Sequence, residues 1–390
     1  MSMSSWADGR LSKRKRIAYM ALSITGGLVL GFIVVEGGLS AILFLRDVLH
    51  RLEADRRAPV THQYDSELGW VNKPNTYSPD AYGPGVYVRI NSQGVRASHE
   101  LAASRPAERV RVICSGDSFT YGVGVDNDHT WCHLLELKNP HLETVNLGQS
   151  GYGVDQAYLR YQRDAAHIQH DIHLFAFIID DFRRMRTTGD GIYHKPTLAL
   201  QDGALTVRDV PVQRPLIPTL WLAGLRAAVP DLRGFEFVKR IYARFAPEPA
   251  LDSSALDSTT AQIVAKIADS LGAMAQSSHA TLVWIVLPAR PDYLSAFTDR
   301  SRRWLRAAAG RRFLYLDLVQ ELKQPPPDSI DPMFLPPSAE HRAASPDAGG
   351  HYTERGNAWV ADRIYQFLNT VPALSRRPSA PHLLSARPNN

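Results

Sequence analysis

The sequence predicts an α/β fold built on a parallel sheet, and three observations predict it. Short apolar runs recur from about residue 108 onward: "RVRVICSG", "LETVNLGQSG", "DIHLFAFIIDD", "ATLVWIVLPAR" and "RRFLYLDL". Segments with helical spacing separate them, among them "TWCHLLELK", "VDQAYLRYQRDA" and "AQIVAKIADSLGAMAQ". The runs are apolar throughout rather than alternating, as strands covered on both faces must be, and the intervening helices supply the crossovers that parallel strands require. A chain of 390 residues with 44% hydrophobic content can bury such a core and still carry attachments.

The first attachment is at the amino end. "KRKR" precedes "IAYMALSITGGLVLGFIVV", a stretch without a charge before Glu36. At 1.5 Å per residue such a helix covers most of a ~30 Å hydrocarbon layer, so it reads as a transmembrane helix. "EGGLSAILFL" prolongs the apolar character where a cleaved signal peptide would need a small-residue site, which favours an uncleaved signal-anchor. The dense basic group Lys13 to Arg16 places the amino terminus inside, although Arg46, Arg51, Arg56 and Arg57 follow the helix. The expected location is the inner membrane, single-pass, with the large domain in the periplasm.

The chain therefore divides into a cytoplasmic tail and signal-anchor (1–44), a stalk and extended lead-in (45–105), an α/β domain (106–371) and a tail (372–390). "LRDVLHRLEADRRAPV" has the charge of a helical stalk, and the turn-rich, aromatic stretch from Tyr64 to Ala97 predicts short strands. Residues 187–255 interrupt the strand–helix alternation and read as an insertion near the carboxyl ends of the strands, where open α/β sheets bind ligands. It opens with "KPTLALQDGALTVRDVP", whose Asp-Gly turn and flanking alternation predict a hairpin, and continues through helical "LWLAGLRAAV" and "GFEFVKRIYARF". After residue 371 no sustained apolar pattern remains, and the tail reads as disordered.

Charge excludes one class of partner. The two ends, residues 1–16 and 371–390, carry +4 and +3 of the net +5, so the body between them is weakly acidic at −2 and offers no footprint for nucleic acid. Cys114 and Cys132 make neither a disulfide framework nor a zinc cluster, and read as buried small hydrophobes in preference to a single bridge. His129 and His133 lack the glutamate of a metalloprotease helix, and "HIQHDIH" lies between a helix and a strand, so no metal is expected at either place. Nor is a cofactor, since the helix after "GQSGYG" does not start with the phosphate pattern of a nucleotide loop.

"CSGDSFTYG" places Ser118 just after the first apolar run, a position open to a nucleophile or to a turn serine. A nucleophile needs a base, and His351 stands in the Gly-rich loop before the amphipathic "YTERGNAWVADRIYQFL". Four blocks in order resemble the SGNH, or GDSL-type, hydrolase family: "GDSFTYG", "NLGQSGYG", "DIHLFAFIIDDF" and "GGHYTERGN". The resemblance spans roughly residues 108–186 and 256–370, and "ELGWVNKPN" with "INSQGVR" is similar to the lead-in of membrane-anchored bacterial members.

That resemblance implies a flavodoxin-like three-layer α/β/α sandwich and hydrolysis or transfer of acyl groups, often at esters on carbohydrates or lipids. It assigns Ser118 as nucleophile, His351 as base, and the amides of Ser118 and Gly151 to the oxyanion. Where the family has Gly-x-Asn-Asp, this chain has Ile178, Ile179, Asp180, Asp181, so Asp180 stands at the position of a donor amide. An ionised carboxylate cannot donate. Asp180 is therefore expected to be turned away, or kept neutral by burial and by Asp181. The acid that orients His351 is expected at Asp347, one residue further from the histidine than the family places it.

The expected activity is that of a membrane-anchored serine esterase acting on acylated, by preference acetylated, carbohydrate of the envelope. An O-acetyltransferase would use the same residues, and a non-catalytic glycan- or partner-binding protein is the reading from another class.

Overall fold

A computed structural model describes residues 12–57, 61–102, 104–106, 108–189, 193–214, 256–294, 299–309, 313–323, 327–336 and 350–371. The chain divides into two units, residues 1–53 with 221–249, and residues 54–220 with 250–390. In the first, the described residues belong almost entirely to helix α1 (Lys13–Arg57), in which the expected anchor and stalk are one continuous helix. Its segment Lys13–Gly38, which contains an 18-residue window of mean hydropathy 2.1, is long and apolar enough to cross a membrane.

The second unit opens with two small antiparallel pairs, β1 (His62–Asp65) with β2 (Gly69–Asn72), and β3 (Thr76–Ser78) with β4 (Val88–Ile90). The central sheet follows: β5 (Val110–Gly116), β6 (Leu142–Asn146), β7 (Ile172–Phe177), β10 (Thr281–Val286) and β11 (Leu314–Asp317). Between β7 and β10, strands β8 (Thr197–Gln201) and β9 (Ala204–Arg208) form the expected hairpin around Asp202-Gly203. The helical segments expected at 220–229 and 234–245, and the tail after 371, lie outside the described residues.

The helices are α2 (Ser118–Tyr121), α3 (Trp131–Lys138), α4 (Val154–Asp164), α5 (Asp180–Arg184), α6 (Ser258–Ser277), α7 (Arg290–Leu294), α8 (Asp299–Ala309), α9 (Leu318–Leu322), α10 (Pro327–Ile330) and α11 (Glu354–Leu368). The sheet order is β11-β10-β7-β5-β6, with every pairing parallel. Counted from β5, this is the flavodoxin-like order 2-1-3-4-5, whose topological switch point lies between β5 and β7.

Residues alternate between the two faces of each strand. On β5, Ile113 faces a layer built with α4 and α6, where it joins Phe175, Trp284, Ala157 and Leu271. Val112 and Cys114 face the other layer, with Leu174, Ile285, Trp131 of α3 and Val360 of α11. Cys114 and Cys132 of α3 lie together in that second layer and are joined as a disulfide. This corrects the expectation of two unlinked thiols: α3 packs on β6, the neighbour of β5, and its Cys132 reaches Cys114 within the shared apolar layer.

His173 and His170 are held in a buried cluster of hydrogen bonds and stacked rings. Ser115 Oγ lies 2.6 Å from His173 Nε2, Tyr161 stacks on His173 at 3.7 Å, and the Tyr161 hydroxyl lies 3.0 Å from His170 Nε2. Burial lowers the pKa of both rings, His173 strongly, so they serve as neutral members of the core.

The lead-in is part of the core, so the sequence-based boundary at residue 105 cuts through packed structure. Leu68 and Trp70 are buried in the layer of α4 and α6. Trp70 Nε1 donates to Ser150 O at 2.8 Å, and the Tyr152 hydroxyl donates to Trp70 O at 2.6 Å.

Candidate active site

Ser118 is the first residue of α2, at the carboxyl end of β5 and beside the switch point. The turn there is made by Asp117, whose side chain caps α2 by accepting from Phe119 N at 3.0 Å. Close packing holds the turn against the loop after β6, because a Cβ on Gly148 would come within 2.1 Å of Tyr121 N. From the lead-in, the buried guanidinium of Arg96 donates to the carbonyls of Tyr121, Gly122 and Val125 at 2.6–2.7 Å. Five donors in a rigid fork suit such a clamp.

His351 arrives from the other end of the chain. Leu335 N donates to His351 O at 2.7 Å, Gly350 N to Leu335 O at 2.9 Å and Thr353 N to Met333 O at 2.9 Å, so the segment 333–335 fixes the backbone on both sides of the ring. Thr353 then caps α11. Inside α11, Asn357 accepts from Trp131 N at 3.0 Å and donates to Thr353 O at 3.1 Å, tying the base-bearing helix to α3. Phe119 packs on the imidazole at 4.7 Å between ring centres.

The result is a 2.8 Å contact between His351 Nε2 and Ser118 Oγ, across 233 positions of sequence. A serine in hydrogen-bond reach of an imidazole can lose its proton as it attacks. Gly151 lies in the loop after β6, at φ +81°, a left-handed conformation that glycine adopts without a steric penalty. Asp347 lies outside the described residues.

No family model and no curated protein matches the sequence. Solved structures do. A lipolytic protein of the G-D-S-L family from Veillonella parvula aligns at 12% identity over 67% of this chain and all of its own length, with a TM-score of 0.38. A lipolytic protein of that family from Desulfitobacterium hafniense aligns at 13% over 66% of this chain and 99% of its own, at 0.36. A lipase/acylhydrolase from Enterococcus faecalis aligns at 12% over 66% and 95%, at 0.37. The five-stranded parallel sheet covered on both faces is the α/β sandwich expected. Likeness at this level carries no function, and the chemistry must come from the residues themselves.

Of the two expectations for Asp180, turned away or kept neutral, the second is corrected. Its carboxylate accepts from Arg183 Nε at 2.7 Å and Nη2 at 2.9 Å, and the side chain is 41% exposed. Partial burial would raise its pKa, but the hydrogen bonds and charge of Arg183, with the charge of Arg184, outweigh it and hold the carboxyl below its usual range. Asp180 is thus ionised and engaged with Arg183, and its side chain is not an oxyanion donor. Asp180→Asn should leave turnover of a short ester within about threefold of wild type, without a new decline at high pH. A larger loss in steady-state kinetics would return Asp180 to the reaction.

The group with a raised pKa is its neighbour. Asp181 and Asp117 are both buried around Arg184, whose Nη1 lies 2.7 Å from Asp181 Oδ1 and 3.6 Å from Asp117 Oδ2. Asp181 also accepts from Ile178 N at 3.2 Å, bracing the end of β7. Burial pushes Asp117 up to about 6 against the pull of Arg184. Burial and then the charge of Asp117 push Asp181 well above the carboxylate range. The sequence carried a signal for this network in Asp181 and Arg184, spaced i, i+3 on one helix face, and in the aspartate beside the serine.

Among the described residues, Asp126, His129 and Glu354 form a group that could hold a metal ion, with their ligand atoms within 4.8 Å of one another. The His129 Nδ1 already lies 2.7 Å from Asp126 Oδ1 in a half-buried hydrogen-bonded pair.

Proposed function

We propose that the chain is a membrane-anchored serine esterase that removes acyl groups, by preference acetyl, from envelope or exported carbohydrate. The observation that carries the catalytic part is the contact between His351 Nε2 and Ser118 Oγ. Ser118 Oγ bonds to the acyl carbon as its proton passes to His351 Nε2, and the amides of Ser118 and Gly151 hold the oxyanion. His351 returns the proton to the leaving alcohol as the ester C–O bond breaks. Water, deprotonated by His351, then releases the carboxylic acid and restores Ser118. Asp347 is proposed to orient His351, on its place in the sequence alone.

Two features support a periplasmic domain. Lys13 to Arg16 stand at the amino end of the span, as positive-inside topology requires. The Cys114–Cys132 bridge suits an oxidising compartment.

The test is a fluorophosphonate probe too polar to cross the inner membrane, applied to bacterial spheroplasts carrying the full chain. Labelling mapped to Ser118 by peptide mass spectrometry is the expected result. Labelling only after lysis would overturn the location and leave the chemistry, whereas no labelling in either state would overturn the esterase. Transfer uses the same residues with a sugar hydroxyl in place of water, and free acetate as the product distinguishes hydrolysis from it.

A further inference from the structure

Strands β3 and β4 place Tyr77 directly opposite Arg89. Ser78, Val88 and Ile90 point inward, while Tyr77, 61% exposed, and Arg89 stand on the outer face. Beside them opens a cavity of about 680 Å³ walled by Thr76, Tyr77, Tyr87, Arg89, Ser98 and Glu100. The rings of Tyr77 and Tyr87 are 6.1 Å apart and tilted by 44°, so they offer two inclined aromatic faces. The Tyr87 hydroxyl reaches Ser98 Oγ at 3.4 Å, and Glu100 is anchored by Ser92 N at 2.9 Å and Ser92 Oγ at 2.7 Å.

The lining selects a ligand chemistry. Arg89 stands against Glu100 in the wall and Asp128 at the Tyr87 hydroxyl, so a phosphate finds no excess of positive charge. The hydroxyls, carboxylate and guanidinium leave no continuous apolar wall for an acyl chain. A pyranose presents an apolar C–H face and a rim of hydroxyls that both donate and accept, which matches aromatic faces ringed by donors and acceptors. The size falls within that of small-ligand sites.

The cavity is also mounted on the nucleophile's own support. Arg89 N donates to Asn127 Oδ1 at 3.1 Å, and Asn127 Nδ2 donates to Arg89 O at 2.8 Å. Val88 and Ile90 pack with Tyr121 and Val123, in and just beyond the helix that Ser118 opens.

We propose that this cavity is a glycan-binding subsite that takes neutral pyranose units through Tyr77 and Tyr87. That the glycan is also the substrate of Ser118 rests on the esterase reading; the binding itself does not.

The experiment is isothermal titration of the full chain, in detergent and with Ser118→Ala to prevent turnover, against neutral xylo-, cello- and manno-hexasaccharides, acetylated and unacetylated. At least one should bind. Tyr77→Ala should weaken that binding at least about tenfold and Tyr77→Phe less than about twofold, because stacking needs the ring and not the hydroxyl. In the Ser118 protein neither change should alter p-nitrophenyl acetate turnover by more than about twofold, since Tyr77 stands on the outer face of the lead-in. Equal affinity in Tyr77→Ala, or no binding of any oligosaccharide up to about 10 mM, would overturn the subsite. Tyr77-dependent binding by a protein that hydrolyses no ester would uphold the subsite and overturn the esterase.

Discussion

Ser118→Ala is expected to lower kcat towards short acyl esters by at least about 10⁴-fold while the fold persists. The loss is large because the covalent route disappears: without Oγ, the base at His351 has no nucleophile to activate, and only binding and the oxyanion donors remain. Stability should change by no more than about 1 kcal/mol, because alanine suits the first turn of a helix and one hydrogen bond, to His351 Nε2, is lost. Steady-state kinetics with a chromogenic ester, beside a circular dichroism melt, reads both quantities. Turnover within tenfold of wild type would remove Ser118 from the reaction, and a collapsed melt would show that the serine acts structurally.

Arg184→Leu is expected to be the most destabilising single change near the site, by about 3 kcal/mol at neutral pH. Arg184 is the cation beside both buried carboxyls, Asp117 and Asp181. Removing one partner of a buried ionic group leaves the others uncompensated in low dielectric. The pH dependence identifies the cause. In the wild type Asp117 is raised from its usual 3.8 to about 6. The folded state therefore binds more protons than the unfolded state across that window, and stability falls as pH rises through it. Without Arg184 both carboxyls move further up, so the falling window extends to higher pH. Urea midpoints of the full chain in detergent should thus differ little between variant and wild type near about pH 4 and most near about pH 8. An equal loss at both would mean that packing, not charge, is what Arg184 contributes.

Much of this protein is legible from local pattern. Apolar runs between helically spaced segments are enough for a parallel α/β core, because strands covered on both faces have no polar side to show. The hairpin at Asp202-Gly203 follows from a turn whose geometry few residues adopt. Ser118 and His351 are candidates from the sequence because each stands in one of four blocks whose order resembles one family. Their contact closes a gap of 233 positions, and it depends on backbone bonds from Leu335 and on Asn357, neither of which has a sequence signal of its own.

What the sequence by itself determined is the class of core, the apolar span at the amino end, and the residue types available for acyl chemistry. All of these depend on neighbours along the chain. Tertiary structure alone decided that Asp180 pairs with Arg183 while Asp181 is the buried acid, although the two are adjacent and identical in type. It alone joined Cys114 to Cys132 and folded the lead-in into the core through Arg96 and Trp70. The physical reason is common to these cases. Burial, charge pairing and disulfide geometry are set by atoms that meet in space, and a helix turns consecutive side chains by about 100°, so one residue faces solvent and the next the interior.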